Sequence, residues 1–545
     1  MQSEGAASST IAKSSQDEKT FTTPTIILLV TVMLCMFLVV MDRVIIATAI
    51  PQISDDFGSV SDVGWYGGAY NLTCCAFQLL FGKLYAFFPV KVVLIASVLL
   101  FEAASALCGA APTSLAFLIG RAFAGVGAAG IFAGTIMCVV HTVPLAKRPM
   151  VQGMMGSIGG VGTVIAPLIG GALTSHASWR WCFYINLPPG GVGIAAIYFC
   201  LKAPERSRET KDLSLTKKLA QIDFPGSACL LPGVVCLLLA LQWGGQTYSW
   251  GNGRIVALLT LQGILFIGFA LAQVFLPKTA TLPPSLFKHR TVTAAFWSTF
   301  FTGSTQYMTI YYLPIWFQAI KGVSAVDSGI RLLPLFLTFV IASITGGIIN
   351  QKIGYYNVLG VTGVCLMCIG AGLLTTLQVN SSAGKWIGYQ VIYGLGQGYC
   401  FQTPNLAVQQ TVLPKPQVPM GMALMFFGQL LGASIFVAVG ENVLGGQLLQ
   451  RLRNIPGFSS SSITSGGVTS LLNGIPVDLR PEALVQYNEA LRKVLQISLI
   501  LSCLSALGIF SLEWKSTLKK PAPNAQPEKG SVAENPVEAQ HKSAA

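Results

Sequence analysis

The chain has 545 residues, 52% of them hydrophobic and only 10% charged, with a mean hydropathy of +0.63 and a net charge of +13. Soluble domains carry about 25% charged residues, so this composition excludes a string of soluble domains and predicts one all-α polytopic membrane unit. No basic stripe interleaved with exposed aromatics occurs, so the positive charge reads as cytoplasmic loop charge rather than a nucleic-acid surface.

Residues 1–24 are polar and Ser-rich, without the apolar core of a signal peptide, and read as a disordered cytoplasmic tail. A bilayer core about 30 Å thick needs about 20 apolar residues per helix. The region 25–201 supplies six such spans, at 26–48, 62–82, 91–111, 115–136, 150–173 and 182–201. The linker 202–222 carries Lys202, Arg206, Arg208, Lys211, Lys217 and Lys218, which marks it as cytoplasmic. The region 223–276 adds a pair of spans, 223–243 and 254–276, followed by a short cytoplasmic linker 277–291. The region 292–514 holds six more, at 292–313, 328–350, 356–377, 385–409, 419–440 and 494–513. An outside loop, 441–493, is rich in Ser and Gly and ends in a short polar helix pattern near 481–493; residues 515–545 read as a disordered cytoplasmic tail. Fourteen crossings put both termini in the cytoplasm. Runs this long and continuously apolar are helices, not barrel strands.

The two sets of six show a weak repeat. The turn after helix 2 opens at Gly82 and closes at Lys91; the turn after helix 10 opens at Gly347 and holds Lys352 and Gly354. Helix 4 then carries Gly125, Gly127 and Gly130, and helix 12 carries Gly394, Gly396 and Gly398. Matched features in two halves are the trace of a duplicated transporter. Helices 1–6 and 9–14 are the halves, and 7 and 8 are an inserted pair.

Helix 5 is the most informative segment. Gly162, Ala166 and Gly170 fall four apart on one ridge and allow close helix approach, Pro167 removes a backbone hydrogen bond, and Gly153 and Gly171 extend the pattern. Tight packing alone also explains such a ridge. The full spacing resembles the antiporter signature of the major facilitator superfamily, with Ala166 in place of one glycine. Met41–Pro51 is similar to the helix 1 signature of the fourteen-helix drug:proton antiporters, and Arg121, Gly125 and Gly127 match that superfamily's helix 4 motif. Trp179–Pro188 and Ser328–Pro334 resemble the subfamily's helix 6 entry and helix 10, and the nearest resemblance is to fungal exporters of toxins and secondary metabolites. The resemblance implies two six-helix bundles plus two inserted helices, alternating access, and exchange of substrate for protons. One departure stands out: Ala86 and Pro89 occupy positions where the superfamily's helix 2–3 turn usually has an aspartate and a glycine.

Charges at the bilayer centre are costly and usually functional or paired. Asp42 is the candidate proton-coupling group, with Arg121 as its candidate partner; Arg43 lies about 100° around the helix. A purely structural role near the helix end at Pro51 is the competing reading of Asp42. Glu102 reads as a packed or cavity-facing polar residue. Amide and aromatic groups at Asn71 and Gln78 on helix 2, Gln306 and Tyr307 on helix 9, and Gln402 and Asn405 on helix 12 are candidate substrate-cavity residues. Tyr312 and Trp316 fall where an interfacial aromatic belt is expected.

No P-loop pattern, HExxH or Ser/His/Asp grouping is present. The expectation is therefore a monomeric, non-enzymatic transporter without cofactor, metal or nucleotide. Its partners are protons, lipid and a small organic cargo, and its place is the plasma membrane, with the vacuolar membrane as the other option. The competing function is a proton symporter or facilitator importing a nutrient or iron chelate on the same fold.

Overall fold

A computed structural model describes residues 23–58, 62–144, 147–201, 223–245, 248–277, 279–410, 417–453 and 476–515. Nearly all of the expected tails 1–24 and 515–545, the basic linker 202–222 and the centre of the outside loop lie outside the described residues.

Among the described residues, fourteen helices stand where fourteen spans were expected: α1 Thr23–Phe57, α2 Val63–Phe87, α3 Val90–Ala110, α4 Ser114–Thr142, α5 Arg148–His176, α6 Leu187–Cys200, α7 Phe224–Trp243, α8 Gly253–Phe275, α9 Arg290–Lys321, α10 Leu333–Ile353, α11 Tyr356–Leu374, α12 Ala383–Phe401, α13 Val418–Leu452 and α14 Arg480–Phe510. No strand occurs among the described residues. Eleven of these helices, α6 taken together with the helical turn that begins at Trp181, are apolar and long enough, by composition and length, to cross a membrane. The other three are α2, α9 and α12, which carry the amide and hydroxyl groups singled out above and so fall below the same apolarity. Polar residues here are a mark of an inner helix, not of a soluble one.

Several helices outrun their expected spans, because apolarity marks only the part of a helix that matches hydrocarbon. At 1.5 Å per residue, the 35-residue α1 is about 52 Å long and continues past position 51. Asp42 therefore lies mid-helix, not at an end. The outside loop 441–493 is shorter than expected, since α13 runs to Leu452 and α14 begins at Arg480. Helix 12 breaks at Gln402, and a separate turn of helix, Thr403–Gln410, follows; Pro404 cannot donate the backbone bond that would continue α12.

The packing repeats itself between the halves. In the first, α1 packs on α4, α5 and α6, α4 on α2 and α3, and α3 on α6; in the second, α9 packs on α12, α13 and α14, α12 on α10 and α11, and α11 on α14. The glycines account for the closeness of two of these pairs. A Cβ on Gly127 would meet the Phe101 backbone of α3 at 2.8 Å, and one on Gly398 would meet Phe339 O of α10 at 2.6 Å. The halves join along two seams, α2–α13 and α5–α10, which exchange under the same repeat.

The inserted pair packs α8 on α7, and α7 on α2 and α13. At the end bearing the α2–α3 turn, hereafter the proximal face, a buried clasp holds the pair. Asp223 accepts hydrogen bonds from Gly226 N (2.7 Å), Gln273 Nε2 (2.6 Å) and Thr281 N (2.9 Å), while Gln273 Oε1 accepts from Leu282 N at 2.7 Å. Lys83 of α2, 3% exposed, donates to Ala280 O at 2.6 Å. Neither Lys83 nor this clasp was apparent in the sequence.

Candidate functional site

Asp42 on α1 and Arg121 on α4 are both fully buried and meet at 2.6 Å. Their surroundings satisfy most of what burial demands. Asn186, just before α6, donates from Nδ2 to Asp42 Oδ1 at 3.1 Å and to Ser105 Oγ of α3 at 3.3 Å. Arg121 Nε donates to Tyr66 O at 3.1 Å, and its guanidinium lies 4.5 Å from the Tyr70 ring centre. The pair is thus held by five helices of one bundle. The sequence points to Asp42 and Arg121 but not to Asn186, Ser105 or Tyr66, and Tyr70 reads there as a cavity group, not as a neighbour of Arg121. A lone Asn at the mouth of an otherwise apolar span was the available signal for Asn186.

Arg43, the next residue, points elsewhere. It hydrogen-bonds the Tyr307 hydroxyl on α9, with its guanidinium 4.5 Å from that ring's centre. Consecutive residues of α1 therefore serve different ends: one closes an ion pair inside the first bundle, the other bridges to the second.

The helix 5 motif divides between two neighbours. A Cβ at Gly162 would touch Val40 of α1 at 3.1 Å, and one at Gly170 would collide with Ile45 Cγ1 at 2.7 Å and with Thr48 Oγ1. Ala166 on the same ridge is fully buried, and Pro167 lies within the unbroken helix. Gly153 faces α10 instead, against the Ser343 carbonyl, and Gly171 has open space around it. Gly170→Ala is thus expected to destabilise the protein by about 1–3 kcal/mol through overpacking. Gly171→Ala should stabilise by about 0.4–1 kcal/mol. Thermal unfolding of the two purified variants checks the contrast; equal midpoints would refute it.

The turn residues also separate. Gly82 abuts α13, where a Cβ would stand 2.5 Å from Ala423 Cβ, and Gly347 abuts α5, 2.6 Å from Pro149 O. Both glycines lie at seam crossings on the proximal face, and an apolar cleft between the bundles there is lined by Gly82, Tyr85, Pro419 and Phe426. Gly354 ends α10 at φ 76°, a left-handed conformation that favours glycine. Lys91 and Lys352 are not at a seam contact in the structure: Lys91 lies 4.6 Å from the Tyr198 ring centre of its own bundle, and Lys352 is exposed.

Of the six cavity candidates, Gln402 and Asn405 are hydrogen-bonded to each other. Tyr307 reaches Arg43, as above. Asn405 Nδ2 donates to Gln402 Oε1 at 3.3 Å, and Gln402 approaches α5 at Gly156 beside Ser343 of α10. Asn71, Gln78, Gln306 and Asn405 each bury a side-chain polar atom with no hydrogen-bond partner among the described residues, as does Gln397, another helix 12 amide; Gln152 and Ser343, not foreseen from sequence, do the same. Buried amides left open in this way suit an interior that takes up water or cargo. Tyr312 and Trp316 are not belt residues. Both are buried, the first donating to Val437 O and the second to Asn488 Oδ1, each at 2.7 Å. Their indole and phenol donors found partners inside the bundle.

Comparison with known proteins agrees with this architecture. The Major Facilitator Superfamily profile matches residues 32–437. An MFS-type transporter of Claviceps purpurea is 57% identical over 95% of this chain and 90% of its own length. The rubrofusarin-specific efflux pump aurT of Gibberella zeae is 44% identical over 89% of this chain and 88% of its own. The crystal structure of the human organic anion transporter MFSD10 superposes with a TM-score of 0.56 at 13% identity, covering 88% of this chain and all of that one; it bears on the fold alone. This chain is a multi-pass membrane transporter, not an enzyme, and it belongs to the Major Facilitator Superfamily.

Proposed function

We propose that this protein exports small hydrophobic or amphipathic organic molecules, of the secondary-metabolite or toxin class, in exchange for protons. Efflux is supported by relatives matched over nearly their whole length and named as efflux pumps, among them aurT and the efflux pump aflT of Aspergillus parasiticus. Proton exchange rests on one observation: the buried Asp42–Arg121 pair adjoins, along α1, the Arg43–Tyr307 bridge between bundles. A proton on Asp42 cancels its attraction for Arg121 and loosens α1, and α1 carries the bridge. Binding of a proton is thereby linked to how the halves sit against each other, as alternating access requires. The protein acts as a monomer in the plasma membrane with its proximal face and both termini cytoplasmic.

One proton entering down about 100 mV and one pH unit supplies roughly 3.7 kcal/mol. That sustains a cargo gradient of about 500-fold. In yeast cells expressing the protein, accumulation of a panel of hydrophobic dyes and metabolites is expected to fall as the medium is acidified. Accumulation that rises with external acid would favour the importing symporter instead.

A further inference from the structure

We propose that Glu102 is a second proton-binding carboxyl of this transporter, linked to Asp42 through Ser105 and Asn186; the link to transport rests on the proton-exchange reading above.

Glu102 lies on α3, inside the first bundle, and is only 8% exposed. Neither of its carboxyl oxygens has a hydrogen-bond partner among the described residues. The carboxyl is pressed against α6, since a Cβ on Gly190 would overlap it. Gly190 is one turn beyond Asn186, and Ser105 is one turn beyond Glu102 on α3. Asn186 Nδ2 joins Ser105 Oγ to Asp42 Oδ1 (3.3 and 3.1 Å), while Asn186 Oδ1 is buried and has no donor among the described residues. An unfilled acceptor and an unpartnered carboxyl therefore occupy neighbouring turns of the same α3–α6 contact.

Charge balance settles which form of the carboxyl this place accepts. From α1, Glu102 faces the Cys35 thiol and, further along, Asp42. From α4 the charged group is Arg121, already committed to Asp42. The facing stretch of α6, Asn186 to Gly193, contains no titratable residue, and Arg43 is turned to Tyr307. An ionised Glu102 would add an uncompensated negative charge at membrane depth beside a pair that is already neutral. A protonated Glu102 is neutral and gains a donor for the open acceptor. When Asp42 takes a proton, Arg121 loses its counter-ion, and an ionised Glu102 becomes the anion that restores neutrality. The two carboxyls then hold the proton in turn. Among the described residues the second half has no equivalent. The 269-residue shift that carries Gly125 to Gly394 and Gly127 to Gly396 carries Arg121 to Gln390, and α9 meets α14 there through neutral hydroxyls, Thr305 with Ser498 and Ser502 at 2.8 Å.

Dicyclohexylcarbodiimide, which forms a stable adduct with a protonated carboxyl in apolar surroundings, tests this on the purified full-length protein, with peptide mass analysis across pH 5 to 10. The expected result is an adduct at Glu102 and none at Asp42, declining about tenfold per pH unit above its midpoint. Asp42→Asn should move the pH profile of the Glu102 adduct, and Ser105→Ala, which leaves the Asp42–Arg121 pair in place, should move it too. No adduct at Glu102 at pH 5, an adduct at Asp42 instead, or a profile unmoved in both variants overturns the proposal. Labelling needs no cargo, so absence of dye export would count against the export reading and leave this result standing.

Discussion

Arg121→Met is expected to destabilise the protein by about 3–5 kcal/mol, because it strands the Asp42 carboxylate in a fully buried site. Its effect should appear as a large drop in the thermal midpoint and in the yield of monodisperse protein. Asp42→Asn should be milder, since an amide in that place still accepts from Asn186 and leaves Arg121 its bond to the Tyr66 carbonyl. This variant should remain folded yet lose proton-driven export, equilibrating cargo instead of building a gradient of about 500-fold. The double variant Asp42→Leu/Arg121→Met separates the two roles of the pair. Replacing a buried ion pair by apolar groups is often neutral for stability, so folding should recover while coupling should not. Recovery of both folding and pH-dependent export would reduce the pair to a structural one.

Gly347→Val is expected to disfavour the arrangement seen here, with its proximal seams shut. The added Cβ would sit 2.6 Å from Pro149 O and 3.0 Å from the Met150 Cα, and backbone cannot swing aside as a side-chain tip can. An overpacking cost of about 1–3 kcal/mol, borne only when the seam is shut, shifts the balance of conformations by about 5–150-fold. Gly82→Val meets the equivalent wall at Ala423 and Pro419. A cysteine placed at Met422, which lines the cleft at this seam, reports the shift in a background with the reactive native cysteines replaced. Both glycine variants should raise its reaction with a bulky maleimide applied from the proximal side and slow export. Unchanged labelling alongside normal export would show that these crossings do not open during the cycle.

Helix number and order were legible because hydrocarbon imposes a coarse rule on composition, and the matched glycines of helices 4 and 12 pointed to the repeat. Asp42 and Arg121 were legible because charges are so few in these spans. The rest depended on azimuth and depth. Nothing in the spacing of helix 5 says that Gly170 meets α1 while Gly153 meets α10, or that Gly171 meets nothing. Trp316 was misassigned to the membrane surface because its partner, Asn488, is 172 residues away. The Lys83 and Asp223 clasp is illegible for another reason: four of its five hydrogen bonds have a main-chain group at one end, which carries no sequence signature.

That clasp makes two seams that correspond under the repeat unequal. α7 is fastened beside α2 at its proximal end and at the other end meets α2 and α13, where Trp65 stacks edge-on with Trp243 at 6.1 Å. The α2–α13 boundary is thereby roofed by protein, while the α5–α10 boundary carries no added helix among the described residues. A molecule dissolved in the lipid consequently meets protein over the α2–α13 boundary, while among the described residues the α5–α10 boundary stands uncovered.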